Sequence, residues 1–460
     1  MTIFEEITKK AYERLPMHMP GHKRHLCADY LRMLGADVDI TEIDGFDDLN
    51  APEGVILEAE RNAARLYGAE EAFFLVGGST SGILAGMYHF LSPGDRVILA
   101  RNCHKSVYNA VEICGAIPEY ILPEADENGI FLDIKPETVR LKLESGGAKL
   151  VVVTSPTYEG VISDVKAIKK LCEEFGVPLL VDAAHGAHLD LSEHFTGGAV
   201  KAGADITVCS LHKTLPSLTQ TAIVFTRGIG RDAFQRTISV FQSSSPSYLL
   251  LASADGCINL IKDRPGLFDC WSGALSRFYE KAKSFKNLCV FSGGGAFGFD
   301  RSKIVITTVG TSLTGFDAAK LLRSEGIEPE MAAEGYLIAM TGLFDGDYEL
   351  DRLFNALRMI DGKAKTAAKK VQRNSTLPIY SLPPKEALSR PAEYVSTEAA
   401  EGRISAEYIY AYPPGIPLIV PGETFSRGVT EAAESLRKHG GRVISLDKTL
   451  KTVKVLKKPY

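Results

Sequence analysis

The chain has 460 residues, of which 45% are hydrophobic and 24% are charged, and its formal net charge is −5. These values are typical of a globular protein, and the acidic balance argues against general binding to nucleic acids. No apolar run approaches the roughly 18–20 residues that a bilayer-spanning helix needs, so we expect no membrane partner. The acidic start of the chain lacks the apolar core of a secretory signal, and the eight cysteines include no CxxC pair. Both features indicate a cytoplasmic protein with reduced thiols.

Short apolar strands alternate with helical stretches between about residues 70 and 227. The first strand leads through GGSTSG (77–82) into a helix, and a second helix is predicted over 105–114. Buried β-branched runs that are separated by helices indicate an α/β fold with a mostly parallel central sheet covered on both faces. Ligands of such sheets bind beyond the carboxyl ends of the strands. The predicted strands are 72–76, 96–100, 150–154, 178–182, 205–209 and 222–225.

The alternating pattern weakens after Trp271. The Gly-rich segment 292–300 precedes a strand-like run, KIVITTV (303–309), and a helical stretch over 316–326, which together indicate a smaller α+β unit. The Pro-rich segment 375–391 marks another boundary. We therefore predict an N-terminal arm, a large domain, a small α+β domain and a C-terminal domain over residues 1–45, 46–290, 291–375 and 376–460.

Polar residues follow four of the predicted strands, at the edge of the sheet where a ligand is expected. Ser79 and Thr80 stand in the Gly/Ser turn, where glycines and the N–H groups of a helix N-terminus can cradle a phosphate. His104 follows the second strand and Asp182 ends the apolar run PLLVD. Lys213 comes four residues after the end of the predicted strand 205–209. Each residue alone has an ordinary structural explanation, such as a helix cap or a satisfied core histidine.

Lys213 is the unusual member of this set, because an unpaired ammonium between apolar runs is costly to bury. A lysine, a strand-end carboxylate, a histidine ring and a phosphate cradle together match the needs of pyridoxal 5′-phosphate. The lysine forms a Schiff base with the aldehyde of the cofactor, and burial favours the free amine. The carboxylate pairs with the pyridine nitrogen, and the flat imidazole covers one face of the ring. The combination therefore predicts this cofactor.

Six motifs resemble those of the pyridoxal-phosphate-dependent ornithine/lysine/arginine decarboxylases, in the order in which that family has them. The length is similar to the short form of the family in Gram-positive bacteria. The resemblance implies the aspartate-aminotransferase fold, also called fold type I, with smaller α+β domains toward the C-terminus. Leu211, Ala183 and Gly77 differ from residues that are common in the family, and none of them is a catalytic group. The motifs are MPGHK (19–23), TEIDGFDDLNAPEGVI (41–56), RNCHKS (101–106), DAAHGAH (182–188), SLHK (210–213) and YPPGIPLIVPGE (412–423).

The resemblance implies four catalytic residues and an amino-acid decarboxylase. Lys213 would form the Schiff base, Asp182 would pair with the pyridine nitrogen, and His104 would stack on the ring. After CO2 leaves, Lys213 or His212 would return a proton to the substrate Cα. The expected reaction converts a basic amino acid to the corresponding amine and CO2, and it consumes one proton in each turnover.

The resemblance also implies the other contacts of the cofactor. Ser79 and Thr80 would begin the phosphate site, Ser210 and His212 would lie beside the phosphate, and His185 would lie near the ring face or its O3′ side. The segment QSSSPSY would reach the phosphate of a neighbouring subunit, so a homodimer is the smallest assembly that we expect. The serines that this segment contributes would be Ser243, Ser244 and Ser245, with Ser244 in the middle.

A basic substrate needs an anionic pocket for its distal group. Arginine is favoured ahead of lysine and ornithine by analogy with the short bacterial members of the family. A guanidinium favours a bidentate carboxylate, whereas an ammonium needs only single acceptors. The product amine would fit polyamine synthesis and acid resistance equally well. The candidate carboxylates are Glu42, Asp44, Asp47, Asp48, Glu330, Glu334 and Glu423.

Two other functions stay open from the sequence. The first keeps the cofactor but carries out transamination or another lyase reaction; aminotransferases of this fold bind the substrate α-carboxylate with an arginine, and Arg403 could be mistaken for it. The second is a non-catalytic paralogue that binds a partner, which would have no need of the lysine, carboxylate and histidine described above. We expect no metal site, because His18, His22 and His25 have no matching second cluster.

Overall fold

A computed structural model describes residues 2–10, 15–24, 29–367, 378–413 and 415–458 of the chain. The strands are β1 Glu71–Leu75, β2 Arg96–Ala100, β3 Ile117–Ile121, β4 Ala148–Thr154, β5 Val161–Ile162, β6 Leu179–Asp182, β7 Ile206–Ser210, β8 Ala222–Thr226, β9 Cys289–Val290, β10 Gly298–Phe299, β11 Lys303–Thr307, β12 Met331–Ala332, β13 Tyr336–Met340, β14 Ala392–Ser396, β15 Ile409–Tyr412, β16 Ile416–Ile419, β17 Arg442–Ile444 and β18 Thr452–Leu456. The helices are α1 Ile3–Lys10, α2 Asp29–Met33, α3 Val55–Tyr67, α4 Gly78–Phe90, α5 Lys105–Cys114, α6 Pro136–Glu144, α7 Val165–Glu174, α8 Leu211–Thr214, α9 Arg231–Ser239, α10 Tyr248–Asp263, α11 Leu267–Ala282, α12 Gly315–Ser324, α13 Asp347–Lys363, α14 Pro384–Ser389 and α15 Arg427–Lys438. None of these helices is long and apolar enough to cross a membrane, as far as the described residues extend.

The described residues form a seven-stranded central sheet in the order β1-β8-β7-β6-β4-β2-β3. The strands from β3 to β7 in that order run parallel, whereas β8 is antiparallel to both of its neighbours. The inner strands are rich in Val, Ile and Leu and are buried along almost their whole length, as expected of a sheet covered on both faces. This confirms the predicted α/β fold. The edge strand β3 was not predicted, because Pro118 and Glu119 interrupt its apolar pattern and are tolerated only at an edge.

Helix α4 packs unusually close to the sheet, because two of its residues are glycines. A Cβ atom at Gly82 would lie 2.7 Å from side-chain atoms of both Leu75 and Val224, and one at Gly86 would lie 2.6 Å from Leu180. Gly82 and Gly86 therefore allow α4 to pack this close to the sheet. They place the N-terminus of α4 at the carboxyl end of β1, on the same edge as the ends of β6 and β7.

Smaller sheets lie beyond the central sheet in the chain. Strands β12, β13, β11 and β9 form an antiparallel sheet on which α12 packs, in agreement with the predicted α+β unit. Strands β14 and β18 pair with each other, and β16, β15 and β17 form a three-stranded sheet beside α15. The predicted domain boundaries stay predictions.

Candidate active site

Lys213 and Asp182 lie at the carboxyl ends of neighbouring strands. Asp182 is the last residue of β6, whose register pairs it with Val208 of β7. Strand β7 ends at Ser210, and the single turn of α8 that follows carries Lys213 back over the strand ends. Nζ of Lys213 lies 3.0 Å from Nε2 of His185, which stands three residues after Asp182. The structure thus brings together three of the predicted site residues.

The surroundings of Lys213 favour its neutral amine. Burial lowers the pKa of Lys213, and the positive charge of Lys303 lowers it further, while Asp182 and Glu330 oppose the shift. A lysine with a lowered pKa offers a larger fraction of free amine near neutral pH, and the free amine is the form that attacks an aldehyde.

Asp182 is buried and has a single described donor, the backbone N–H of Ala184 at 3.1 Å from Oδ1. Burial raises the pKa of Asp182, and the charge of Lys213 and the Ala184 N–H oppose the rise. A buried carboxylate in this situation is stabilised by a cationic partner. A protonated pyridine nitrogen is such a partner.

His104 caps helix α5 and is neutral at physiological pH. Its Nδ1 accepts a hydrogen bond from the backbone N–H of Ser106 at 3.2 Å, so the ring proton resides on Nε2. Burial lowers the pKa of His104 to about 4, with further lowering by Lys213 and Lys105. The ring also touches Gly415, where φ is +89° and a Cβ would lie 3.1 Å from Cδ2 of His104. Gly415 therefore leaves no room for a larger side chain beside this imidazole.

Two buried polar atoms beside Lys213 have no hydrogen-bond partner within the described chain, Nδ1 of His185 and Oγ of Ser210. A buried polar group without a partner costs about 1–3 kcal/mol, so a ligand that bonds to these atoms is favoured. Burial lowers the pKa of His185 well below its usual value, and its neutral ring packs on Tyr158 with centroids 4.6 Å apart. These residues fit pyridoxal 5′-phosphate, which carries hydrogen-bonding oxygens around an aromatic ring.

His212 has one ring nitrogen in use and one available. Its Nδ1 lies 2.8 Å from the carbonyl oxygen of Thr221, so Nδ1 carries the proton and donates it. In the neutral ring Nε2 is therefore an acceptor. His212 is half-buried, and burial lowers its pKa.

The predicted phosphate cradle lies at the N-terminus of α4. Ser79 is half-buried and Thr80 is exposed, and both belong to the first turn of the helix. The Gly78 N–H donates to the carbonyl oxygen of Gln220 at 2.9 Å, which joins this turn to the loop after Lys213. The hydroxyl of Ser81, by contrast, donates to the Gly78 carbonyl at 2.8 Å and serves the turn itself.

The segment with Ser244 lies on the same edge of the sheet. Gln242 fixes its start, because its Oε1 accepts from the Val76 N–H at 3.2 Å. Ser244 is exposed, as are Ser243 and Ser245, which bond to each other through the Ser243 hydroxyl. Its contact with a second subunit stays a prediction.

Three of the candidate carboxylates for the distal group have structural roles instead. Asp47 accepts hydrogen bonds from four backbone N–H groups at the start of α3, which it caps. Glu423 is fully buried and pairs with Arg101, with its two carboxylate oxygens 3.2 and 3.0 Å from Nε and Nη2. Asp48 bonds to the Asn50 N–H of its own turn.

Replacing Glu423 by alanine should lower thermal stability strongly, because it leaves the Arg101 guanidinium buried without a counter-ion. Breaking a buried pair costs about 3–5 kcal/mol, whereas an exposed i,i+4 pair is worth about 0.3–0.5 kcal/mol. The matched control is Glu386→Ala, which removes an exposed pair with Arg390. Differential scanning calorimetry compares the two variants, and equal shifts in Tm would contradict the assignment.

Glu330 is the remaining candidate with a direct link to the site. Its carboxylate accepts a hydrogen bond from the hydroxyl of Tyr158, whose ring packs on His185. Glu330 is exposed and close enough to Lys213 to influence its pKa. Glu334 lines a separate cavity of about 290 Å³ between the central sheet and the later units. For Glu42, the described contact is the hydroxyl of the adjacent Thr41.

The remaining residues named from the sequence have other contacts, where the structure describes them. His22 bonds to Asp39 at 3.1 Å, and His25 lies outside the described residues. In the part of the chain that the structure describes, no three His, Cys, Asp or Glu residues are arranged to hold a metal ion. Arg403 donates to Glu393 and to the Leu456 carbonyl, both at 2.6 Å, and so connects strands of the C-terminal part.

Sequence reasoning missed Tyr158 and Lys303 near the site. Tyr158 follows strand β4 by four residues, so the rule that ligands bind at strand ends could have found it. Lys303 opens β11, about 120 residues after Asp182, and its only signal was a lysine at the head of an apolar run.

The family comparisons agree with this geometry. Residues 15–292 match the family described as Orn/Lys/Arg decarboxylase, major domain, and residues 365–439 match its C-terminal domain. The chain is 35% identical over 437 residues to the arginine decarboxylase of Bacillus subtilis (strain 168), which covers 90% of this chain and 89% of that protein. It is 25% identical over 500 residues to the lysine decarboxylase LdcA of Pseudomonas aeruginosa, covering 83% of this chain and 66% of that protein. The crystal structure of the Francisella novicida lysine decarboxylase LdcF superposes with a TM-score of 0.84 at 18% identity, covering 99% of this chain and 81% of that chain. The chain therefore belongs to the Orn/Lys/Arg decarboxylase family and is an amino-acid decarboxylase that uses pyridoxal 5′-phosphate.

Proposed function

We propose that the protein converts arginine to agmatine and CO2 at the site around Lys213. The observation that carries the proposal is the approach of the Lys213 amine to His185 at 3.0 Å, beside the strand-end carboxylate of Asp182. Arginine is preferred over lysine and ornithine because the relative that is 35% identical is named an arginine decarboxylase, whereas the relative named a lysine decarboxylase is 25% identical.

Pyridoxal 5′-phosphate, when bound, supplies a conjugated ring that takes up the electron pair released when CO2 leaves the substrate. Lys213 would bind covalently to the aldehyde carbon of the cofactor, and the amine of the substrate would displace it. Asp182 would keep the ring nitrogen protonated, and its buried carboxylate would gain a cationic partner in return. The neutral imidazole of His104 would cover the ring without adding a competing charge.

The remaining polar groups would orient the cofactor. Ser79 and Thr80 present the first turn of α4 to a phosphate, where helix N–H groups favour an anion. Ser210 and His185 contribute the buried polar atoms that have no partner within the described chain. After CO2 leaves, Lys213 or His212 would deliver the proton to Cα; His212 can carry it on Nε2, because Nδ1 already donates to Thr221.

Glu330 would bind the guanidinium of arginine at the mouth of the site. It is the one candidate carboxylate whose influence on the Lys213 pKa is resolved, apart from the catalytic Asp182. The hydroxyl of Tyr158 donates to it and so holds the carboxylate in place above His185. A carboxylate can pair with both N–H groups of a guanidinium edge, which an ammonium cannot exploit.

Replacing Glu330 by glutamine should raise KM for arginine about 10- to 100-fold with little change in kcat, since a hydrogen bond to a charged group is worth about 1.5–3 kcal/mol. The isosteric change keeps the Tyr158 contact and removes only the charge. The control is Glu328→Gln two residues away, where the carboxylate pairs with the exposed Arg323. Steady-state kinetics of both variants provide the test, and unchanged KM in Glu330→Gln would assign the distal group to another residue.

The proposed reaction is tested by supplying arginine, lysine and ornithine separately to the purified holoenzyme. We expect equimolar CO2 and agmatine from arginine, with a kcat/KM higher than for the other two amino acids. Release of a keto acid in place of CO2 would support the transaminase alternative, and no turnover with any of the three would support the non-catalytic alternative.

We further infer a cytoplasmic homodimer that takes part in amine formation, such as polyamine synthesis. Support for the dimer comes from large apolar side chains near the N-terminus that are exposed in the single chain, which a monomer would leave in water. Analytical ultracentrifugation at low micromolar concentration tests the assembly. The exposed side chains are Leu15, Met17, Met19, Tyr30, Met33 and Leu34.

A further inference from the structure

A fully buried ion pair lies behind the lysine site. Lys303, the first residue of β11, has its Nζ 3.2 Å from Oδ2 of Asp300 and 3.1 Å from Oγ of Ser302. The side chains of Lys303 and Asp300 have no exposed surface. Fully buried lysines are rare unless they are paired, and pairing alone gives little net stability relative to apolar residues.

The pair reaches both segments that carry the site. On one side, Nζ of Lys303 lies 3.5 Å from the carbonyl oxygen of His185, whose ring contacts the Lys213 amine. On the other side, Oδ1 of Asp300 lies 3.1 Å from Nε2 of His188, and Nδ1 of His188 lies 3.2 Å from the hydroxyl of Thr214. Thr214 is the residue after Lys213. A closed path of contacts therefore runs from the ion pair to His185 and to the turn of α8.

We propose that Lys303 is a positioning residue, which holds the His185 loop against Lys213 and places a fixed positive charge behind the Lys213 amine. The inference rests on the proposed role of Lys213. Asp300 serves as the counter-ion and connects the charge to His188. Lys303 and Asp300 are near each other in the chain, but their contacts with His185 and His188 reach a segment more than 100 residues earlier, and so they connect the sheet that contains β11 to the carboxyl edge of the central sheet.

The electrostatic part of the proposal has a definite sign. Removing the positive charge of Lys303 makes the ammonium form of Lys213 less unfavourable, so the pKa of Lys213 should rise. The other titratable groups around Lys213 are the same in the wild type and in the variant, although removing Lys303 also takes away a charge that lowers the pKa of His185. These groups are Asp182 on β6, His185 three residues after it, Glu330 just before β12, His104 just before α5 and His212 on α8.

The test measures the amine of Lys213 directly in the full-length protein after removal of the cofactor. Trace acetylation with acetic anhydride over a pH series, followed by mass spectrometry of the Lys213 peptide, gives the pH midpoint of its reactivity. The exposed Lys201 in the same sample serves as the internal reference. In Lys303→Met we expect the midpoint to rise by about one pH unit, so that labelling below the midpoint falls about tenfold.

Three further variants separate charge from packing. Asp300→Asn/Lys303→Met leaves no buried charge without a counter-ion, so it carries the test if the single variant does not fold, and its midpoint should also rise. Lys303→Arg keeps the charge and should stay near the wild-type midpoint. Lys169→Met removes a Lys–Asp pair at the amino end of β7 in the central sheet, the end opposite Lys213, and should leave the midpoint unchanged.

The proposal is overturned if both Met variants keep the wild-type midpoint, or if Lys303→Arg shifts it as far as Lys303→Met does. Borohydride reduction of the wild-type holoenzyme, with mapping of the modified lysine, tests the proposed role of Lys213 separately. Attachment of the cofactor to another lysine would show that Lys213 does not form the Schiff base. The acetylation series would still measure the effect of Lys303 on the Lys213 amine in that case.

Discussion

Replacing Lys213 by alanine should reduce kcat for the amino-acid substrate by at least about a thousandfold, since a covalent nucleophile and a proton donor are lost together. The variant should keep its fold, because the lysine is half-buried and its described contact is a single hydrogen-bonding approach to His185. Borohydride treatment of the variant should no longer attach the cofactor to the chain. Both readouts are measured on the same preparation, by product assay and by mass spectrometry.

The control for this substitution is Lys201→Ala, because Lys201 is exposed and bonds only to the Asp190 carbonyl among its described contacts. Its kcat should stay within about twofold of wild type, as is usual for surface substitutions. Adding a small primary amine such as ethylamine should restore part of the lost rate in Lys213→Ala. Full activity without any added amine would show that the chemistry proceeds through another residue.

Replacing Asp182 by asparagine should lower kcat by on the order of a hundredfold to a thousandfold, the effect of removing one preorganised electrostatic group. Asparagine keeps the shape and can still accept from the Ala184 N–H, but it cannot balance a protonated ring nitrogen. Cofactor should remain bound, because Lys213 and the α4 N-terminus are unchanged. The visible absorption spectrum reports retention of the cofactor, and the product assay reports kcat.

The control for Asp182 is Asp205→Asn. Asp205 lies just before β7, at the opposite end of the sheet, and its carboxylate accepts from Lys169 and from the Leu179 N–H. We expect an unchanged kcat and, at most, a small fall in Tm. A similar loss of kcat in both variants would mean that Asp182 acts through the stability of the sheet and not through the cofactor.

The local sequence was sufficient to predict six of the seven strands of the central sheet and the positions of Asp182 and Lys213 at its edge. Strands β2 and β6 and helix α5 lie where the apolar pattern places them, to within one residue. Asp182 and Lys213 could be paired from the sequence because parallel neighbouring strands bring their carboxyl ends to one edge. That inference required only the alternation of strands and helices, which is a property of adjacent residues.

The roles of individual carboxylates could not be predicted from the pattern of strands and helices. Asp47 and Glu423 carry the same carboxylate group as Glu330. In the structure, Asp47 accepts hydrogen bonds at the N-terminus of α3, and Glu423 pairs with Arg101, which is 322 residues away in the chain. Among the candidate carboxylates for the distal group that the structure describes, Glu330 is the one whose charge affects the pKa of Lys213. Charge alone does not determine a partner, because the partner depends on which distant backbone the fold brings within hydrogen-bonding distance.

By itself the sequence determined the α/β fold, the edge at which the site forms and the type of chemistry that a lysine, a carboxylate and a histidine can perform there. The tertiary structure determined which contacts between distant segments position the site residues. It brought Gly415 onto the ring of His104 and placed the Lys303–Asp300 pair behind His185. These contacts join units that are separate in the chain, and no periodic pattern of neighbouring residues encodes the way in which such units pack against each other.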